Sequence, residues 1–486
     1  MNVEWSRQEK RKVEQKDSKL QFFSWIASNK GRYYILSAFF LFLLIFPSEL
    51  AIDGRLSLIT FIAATYCWAA TSLPPSFVAI GSILVLTVTG AASQEMLYSS
   101  LSSDVIWLMI GAFIVGAAMQ TTGLAGRATF FLTSKANSIK GLFFLLAFII
   151  QLLTLFIPST SGRASVLLPI FRNLSKEINN EKVITGLSLL IPTIILIATS
   201  STLIGASSHL VANDYLQSLG FEKITFLKWM LWGIPFTFVA SLSSCAVILK
   251  LFLDKEARKI SLKEMFRKSQ VNNEFSVKEK MTLIVLGLMV LLWTTEHVHG
   301  LDIATVTVIG AFLLVLPGIG TMSWKDGLQA VSWNLILFVG AAITLGEALI
   351  DSGAAEWIID FILAFTKGFL FNSEFVTLLL LTVISLSSHL YITSHTMRAV
   401  ILAPPLLSLA LAENLNVVSI VFLLMVGMNY CLTFPVSSKA LLIYFDEKRS
   451  FQAQDLRNLS KVLSVVYLLI IIVFYYTYWR WTGLTL

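Results

Sequence analysis

Two short stretches of this chain set hydroxyl groups and a cation where the surrounding sequence is strongly apolar. Ser159, Thr160 and Ser161 are followed by Arg163, and Ser394, His395 and Thr396 are followed by Arg398. The segment IPSTSGRASVLLP (157–169) answers ITSHTMRAVILAP (392–404) without a gap. A hydroxyl-rich turn between two half-helices leaves backbone N–H groups and helix N-termini aimed outward, which attracts anions. An ionised arginine at membrane depth costs at least ~2.5–3.5 kcal/mol, so it must face a cavity or a partner. A second matched pair, IGASSH (204–209) and FPVSSK (434–439), adds Ser207, Ser208 and His209 to Ser437, Ser438 and Lys439. Hydroxyls with an excess of fixed positive charge point to a substrate carrying more than one negative charge.

Other chemistries find no support. No Ser/His/Asp set, carboxylate dyad or Gly-rich phosphate loop occurs at usable spacing, so no catalytic residue and no enzyme is expected. His297 and His299 in TEHVHG lack a third ligand, and Cys67, Cys245 and Cys431 form no CxxC pair, so no metal site is expected.

The elements that must hold these residues follow from composition. Of 486 residues 56% are hydrophobic and 13% charged, against roughly a quarter charged in soluble domains. Apolar runs suited to crossing a bilayer, about 20 residues each, lie at 33–50, 56–73, 76–91, 104–124, 184–215, 226–252, 281–296, 302–318, 333–352, 416–444 and 461–479. Segments 141–171 and 375–411 are too long for one helix and broken by polar residues, and are read as re-entrant hairpins. The expected fold is an all-α polytopic membrane protein of about eleven transmembrane helices plus these two hairpins.

Charge orients the chain. With the N-terminus cytoplasmic, 28 of the 36 Lys and Arg fall on the cytoplasmic side, five fall outside, and Arg163, Arg398 and Lys439 fall within apolar regions. That asymmetry is what the positive-inside rule requires, and it leaves the C-terminus outside. The net charge of +7 is thus a matter of topology, not of nucleic-acid binding. Residues 1–32 read as a charged cytoplasmic lead-in and not a signal peptide. The expected organisation is a first repeat over 33–253, a charged linker over 254–280 and a second repeat over 281–486. Six crossings before the linker give the repeats opposite orientation, the arrangement of secondary transporters that bind substrate at the repeat interface.

At these residues the sequence resembles the divalent anion/sodium symporter (DASS) family of dicarboxylate, citrate and sulfate transporters. The resemblance runs from residue 33 onward and rests on the order of elements and the two tips. Members carry Ser-Asn-Thr in each tip and an unwound Thr-Pro-Pro-Asn loop in the next helix, which corresponds here to 205–209 and 435–439. It implies a homodimer built on a scaffold domain, with a transport domain moving as an elevator in a bacterial-type plasma membrane. In sodium-coupled members the tip Asn and nearby carbonyls build the sodium sites. Here Thr160 and His395 stand at those positions, with Arg163 and Arg398 within a turn.

The expectation is therefore a carrier in which Arg163, Arg398 and His395 replace two sodium ions, with no bound sodium and no cofactor. His209 and Lys439 are possible further cations. Ser159, Thr160, Ser161, Ser394, His395, Thr396, Ser207, Ser208, Ser437 and Ser438 are the expected substrate contacts. A fixed cation cannot leave with the substrate, and moving bare charge through a low-dielectric barrier is costly. Such a carrier returns only when loaded, which makes it an exchanger of C4–C5 dicarboxylates such as malate, fumarate, succinate or 2-oxoglutarate. The alternative is a sodium- or proton-coupled symporter for dicarboxylate, citrate or sulfate.

Overall fold

The computed structural model describes residues 50–486 apart from 72, 125, 128, 130–134, 158, 179, 263–274 and 359–372. The lead-in over 1–32, the span expected at 33–50 except Leu50, and most of the linker lie outside the described residues.

Sixteen helices carry the argument, and they fall into two series of eight with matching order. The first comprises α1 (Ile52–Ala70), α2 (Pro75–Thr89), α3 (Asp104–Thr122), α4 (Ile139–Thr154), α5 (Thr160–Glu177), α6 (Glu181–Ala198), α7 (Ser207–Ser218) and α8 (Phe226–Phe252). The second comprises α9 (Val277–Thr294), α10 (Ile303–Val315), α11 (Trp333–Asp351), α12 (Glu374–Ser387), α13 (His395–Ala412), α14 (Val417–Met428), α15 (Lys439–Phe445) and α16 (Ala453–Phe474). Packing between the series is reciprocal. Helix α3 lies on α10 and α2 on α11; α7 lies on α13 and α5 on α15; α8 lies on α16.

The same contacts divide the molecule into two groups. Helices α1–α3 and α9–α11 pack mainly on one another, as do α4–α8 and α12–α16. The groups meet where α11 crosses α7 and α13, where α3 touches α7, and where α8 meets α9. Gly346 on α11 permits one such approach, because a Cβ there would lie 2.5 Å from the Tyr215 ring. The Tyr215 hydroxyl donates to the Ala342 carbonyl across the same junction at 3.2 Å.

Among the described residues six helical stretches are long and apolar enough to cross a membrane, including Glu181–Ser201 and Phe226–Phe252. The runs expected at 184–215 and 416–444 are not single helices. The first stops at Ala198 and resumes at Ser207; the second stops at Met428 and resumes at Lys439. Polar residues account for the first stop. Thr199, Ser200, Ser201 and Thr202 are wholly buried, and Thr199 and Ser201 return their hydroxyls to carbonyls of the preceding turn, which competes with helix continuation. Prolines do not end α5 or α13. Pro169 lies inside α5 and Pro404 and Pro405 inside α13, so the first arm runs to Glu177 and not 171.

Ion pairs sort the connecting segments into two sets. Arg127–Glu279 (2.6 Å), Arg172–Glu447 (2.6 Å), Lys182–Asp254 (3.0 Å) and Arg449–Glu181 (2.6 Å) join segments expected on the cytoplasmic side. Lys223 bridges Asp104 and Asp214 at 2.9 and 2.8 Å, and Arg480 pairs with Glu374 at 3.4 Å, all expected on the other side. Among the described residues, each of these pairs joins segments placed on the same face by charge counting.

Candidate functional site

Breaks at matching places in both series converge on one pocket of about 410 Å³. Ser159, Thr160 and Ser161 line it from the first tip, and Thr393, Ser394, His395 and Thr396 from the second. Ala206, Ser207 and Leu210 come from the first broken helix, and Val436, Ser438 and Lys439 from the second. Met109, Ala112 and Phe113 of α3 and Leu335 of α11 close the far wall. The pocket therefore lies at the junction of the two helix groups.

Local sequence explains how the tips are built. Ser159 caps α5 by accepting from the Gly162 N–H at 3.2 Å, and Ser394 caps α13 by accepting from the Met397 N–H at 3.4 Å. The first residue of each triplet thus satisfies its own helix, leaving the next two at the helix mouth. Helix α7 starts at Ser207 with no side-chain cap, and of its first-turn donors the His209 N–H is taken by the Ala206 carbonyl at 3.1 Å. Three long helices, α5, α7 and α13, present their N-terminal ends to one space, and Lys439 adds a full charge. Among the described residues no Asp or Glu lines it. A small polyanion fits these donors and this sign of potential.

The two arginines do not line the pocket, contrary to the simplest expectation. Both are fully buried, at 0% exposure, and turn back into the protein. Arg163 Nη1 donates to Thr154 Oγ1 (2.5 Å) and the Ile195 carbonyl (3.4 Å), and Nη2 donates to Thr199 Oγ1 (3.0 Å) and the Gly205 carbonyl (3.0 Å). Its Nε reaches the Ser159 carbonyl at 3.4 Å. The guanidinium thus takes up oxygens freed where α6 unwinds, at the negative end of that helix. Gly205 allows this turn, since a Cβ there would collide with the Thr199 carbonyl.

Arg398 is less completely satisfied. Its Nη1 donates to the Met428 carbonyl (2.6 Å) at the end of α14, and its Nε to the Ser394 carbonyl (3.5 Å). Its Nη2 finds no partner among the described residues, nor do His395 Nδ1 or Asn429 Oδ1, all of them buried. His395 Nε2 instead lies 3.1 Å from Cys431 Sγ.

The remaining expected residues divide clearly. Lys439 is exposed to the pocket and not buried beside the arginines. Ser208 (1% exposed) and Ser437 (0%) sit behind the pocket wall and are not among its lining residues. His209 is also behind it, bonded through Nδ1 to the Thr202 carbonyl (3.0 Å) and through Nε2 to Asn429 Nδ2 (2.8 Å), and stacked on Trp229. That last bond joins the two broken helices, as does Asn429 Nδ2 donating to Ser200 Oγ (2.8 Å). The Ser207 and Thr396 hydroxyls, 2.7 Å apart, tie the first break to the second tip.

Sequence reasoning missed Thr154, Thr199, Asn429 and Cys431. One signal was present: the match of 204–209 to 434–439 extends back to Thr199 and Asn429 without a gap, TSSTLIGASSH over NYCLTFPVSSK. Among the described residues no three metal-ligating side chains gather.

Paired half-helices and paired broken helices around one central pocket, in a chain of membrane-length apolar helices, define a membrane transporter and not an enzyme. The chain belongs to the family described as sodium:sulfate symporter transmembrane region, whose model matches residues 28–485. Relatives include a membrane protein of Cupriavidus necator, 24% identical over 90% of this chain and 89% of that one. Another is the sodium-dependent dicarboxylate transporter SdcS of Staphylococcus saprophyticus, 25% identical over 84% of this chain and 83% of that one. Among solved structures, the YdaH transporter of Alcanivorax borkumensis shares the fold at a TM-score of 0.50, with 15% identity over 82% of this chain and 88% of that chain.

Proposed function

We propose that this transporter exchanges divalent organic anions, C4–C5 dicarboxylates in particular, without sodium. The observation that carries this reading is the Arg163 guanidinium, held by five oxygens at the break after α6. In sodium-coupled members the resemblance assigns the tip Asn and nearby carbonyls to sodium. Here a covalently fixed cation takes the carbonyls of Ser159, Ile195 and Gly205, so those atoms are not open to an ion. Arg398 plays the corresponding part at the end of α14. The substrate lies on the pocket side, with Ser159, Thr160, Ser161, Ser207, Ser394, His395, Thr396, Ser438 and Lys439 around its carboxylates. The arginines act from behind, neutralising the unwound helix ends so that the helix N-termini and Lys439 face the dianion unopposed.

The mechanism follows from charge. Two guanidinium groups and Lys439, none of which can dissociate, make movement of the empty site costly in a low-dielectric barrier, whereas a bound dianion offsets most of their charge. The group of α4–α8 and α12–α16 is the transport body, and the group of α1–α3 and α9–α11 is the scaffold against which it moves as an elevator. The helix pairs α4–α5 and α12–α13 are re-entrant hairpins in inverted repeats, and the scaffold forms a homodimer in a bacterial-type plasma membrane. The N-terminus is cytoplasmic and the C-terminus outside.

A second reading is sodium-coupled dicarboxylate uptake. The name of the Staphylococcus saprophyticus relative, a sodium-dependent dicarboxylate transporter, favours it. Counterflow of labelled succinate, malate and 2-oxoglutarate in proteoliposomes, with sodium or with choline, separates the two. Exchange persists in choline if the cations are fixed, and stops if sodium is needed.

A further inference from the structure

A second cavity, which shares no lining residue with the central pocket, has strongly basic walls. It measures about 530 Å³ and lies between the start of α4 and the end of α8. Lys140 and Lys250 line it from the two helices, and Lys255, Arg258 and Lys259 from the segment that follows α8. Among the described residues no carboxylate lines it. Two acids, Asp254 and Glu256, stand in the same segment, and Asp254 is engaged by Lys182 at 3.0 Å and by the Ala257 N–H at 2.7 Å.

The segment that carries three of the cations is fixed against α4. An isolated bridge between Ser138 and Ser261 stitches the post-α8 segment onto the start of α4. The Ile139 N–H donates to the Ile260 carbonyl (3.2 Å) and the Leu262 N–H to the Asn137 carbonyl (3.3 Å). Arg258 is anchored through Nε and Nη2 to the Leu253 carbonyl (3.1 and 2.7 Å). Counter-charging of the α8 C-terminus accounts for Lys250, but not for five cations from three segments around one hollow.

The hollow also has an apolar exit. Ser138 and Phe144 line it and also line an adjoining hollow of about 480 Å³, polar at Lys135 and Asn137 and apolar along α4 past Leu145 to Phe148. Phe148 is 44% exposed. A basic cup opening onto an apolar track has the shape of a headgroup joined to acyl chains.

We propose that this cavity binds the phosphate headgroup of an anionic phospholipid, cardiolipin or phosphatidylglycerol, with its chains running along Phe144 and Phe148. The site lies on the face that carries the cytoplasmic ion pairs, so the lipid belongs to the inner leaflet. It bridges α4 and α8 and would clamp the post-α8 segment to the first hairpin arm. The inference is independent of what the central pocket carries.

The test uses the full-length protein purified in mild detergent. Thermal stability and lipid retention, by native mass spectrometry, are measured with added cardiolipin, phosphatidylcholine or inorganic pyrophosphate. Cardiolipin is expected to be retained and to raise the melting temperature, and phosphatidylcholine to do neither. The variant K140Q/K250Q/K255Q/K259Q should lose retention by roughly tenfold or more, and high salt should release cardiolipin from the wild type. The milder pair K250Q/K259Q serves if the fourfold variant does not fold. Equal cardiolipin retention by variant and wild type would overturn the proposal. Pyrophosphate stabilising the protein as well as cardiolipin would overturn the lipid in favour of a free phosphate compound.

Discussion

The Arg163 guanidinium donates to the Gly205 carbonyl at 3.0 Å, so a cation on one half-helix is locked to the unwound middle of the next. The other four oxygens around that guanidinium come from the chain on either side of the two breaks. Charge that a mobile ion could supply is thereby built into the chain.

Removing that charge should be severe. Arg163→Gln leaves several buried oxygens without a donor, at about 1–3 kcal/mol each, and should lower thermal stability while abolishing sodium-free exchange. Arg163→Lys keeps the charge and loses the fork, so it should retain measurable exchange. Differential scanning fluorimetry and counterflow on both variants check this. Normal exchange by Arg163→Gln and Arg398→Gln alike would remove the basis of the fixed-cation mechanism.

Lys439 is the one cation among the described lining residues. Lys439→Gln should raise the KM for a dicarboxylate about tenfold, in line with the ~1.5–3 kcal/mol of a charge-assisted hydrogen bond. It should change little for a monocarboxylate. Dose–response curves for succinate and a C4 monocarboxylate in the same vesicles make the comparison.

Ser207 and Thr396 hold each other at 2.7 Å across the two series. Thr396→Val removes one hydroxyl while keeping the shape, and should weaken substrate by roughly 1 kcal/mol, or about fivefold in KM. Ser208→Ala, behind the wall, should leave KM unchanged. A KM shift for Ser208→Ala as large as that for Thr396→Val would contradict the placement.

At the junction of the two helix groups, Gly346 has no room for a side chain against Tyr215. Gly346→Ala should slow exchange without raising KM, because it obstructs sliding between groups and touches no pocket residue. Initial rates at saturating substrate report it. An unchanged rate together with a raised KM would place the fault in binding.

Much of this architecture was legible in the residues. The gapless match of 157–169 to 392–404 marked both tips, and the apolar run over 226–252 coincides with α8. What was not legible was direction. Arg163 and Ser161 are two residues apart, yet one turns inward and the other faces the pocket, because adjacent helical positions point to different sides. The partners of Arg163 at Thr199 and Gly205 lie 36 and 42 positions away, contacts that only the packing of α5 against α6 creates. Lys439 and His209 occupy matching positions in sequence, yet one reaches the pocket and the other stacks on Trp229, because their neighbours differ.

The most direct measurement is counterflow of a labelled dicarboxylate into purified proteoliposomes containing unlabelled dicarboxylate, in sodium-free choline buffer. A parallel set of vesicles is left empty of any dianion. Rapid uptake into loaded vesicles, unaffected by added sodium and absent from empty ones, is the expected result. Sodium-driven uptake into empty vesicles would contradict exchange through fixed cations.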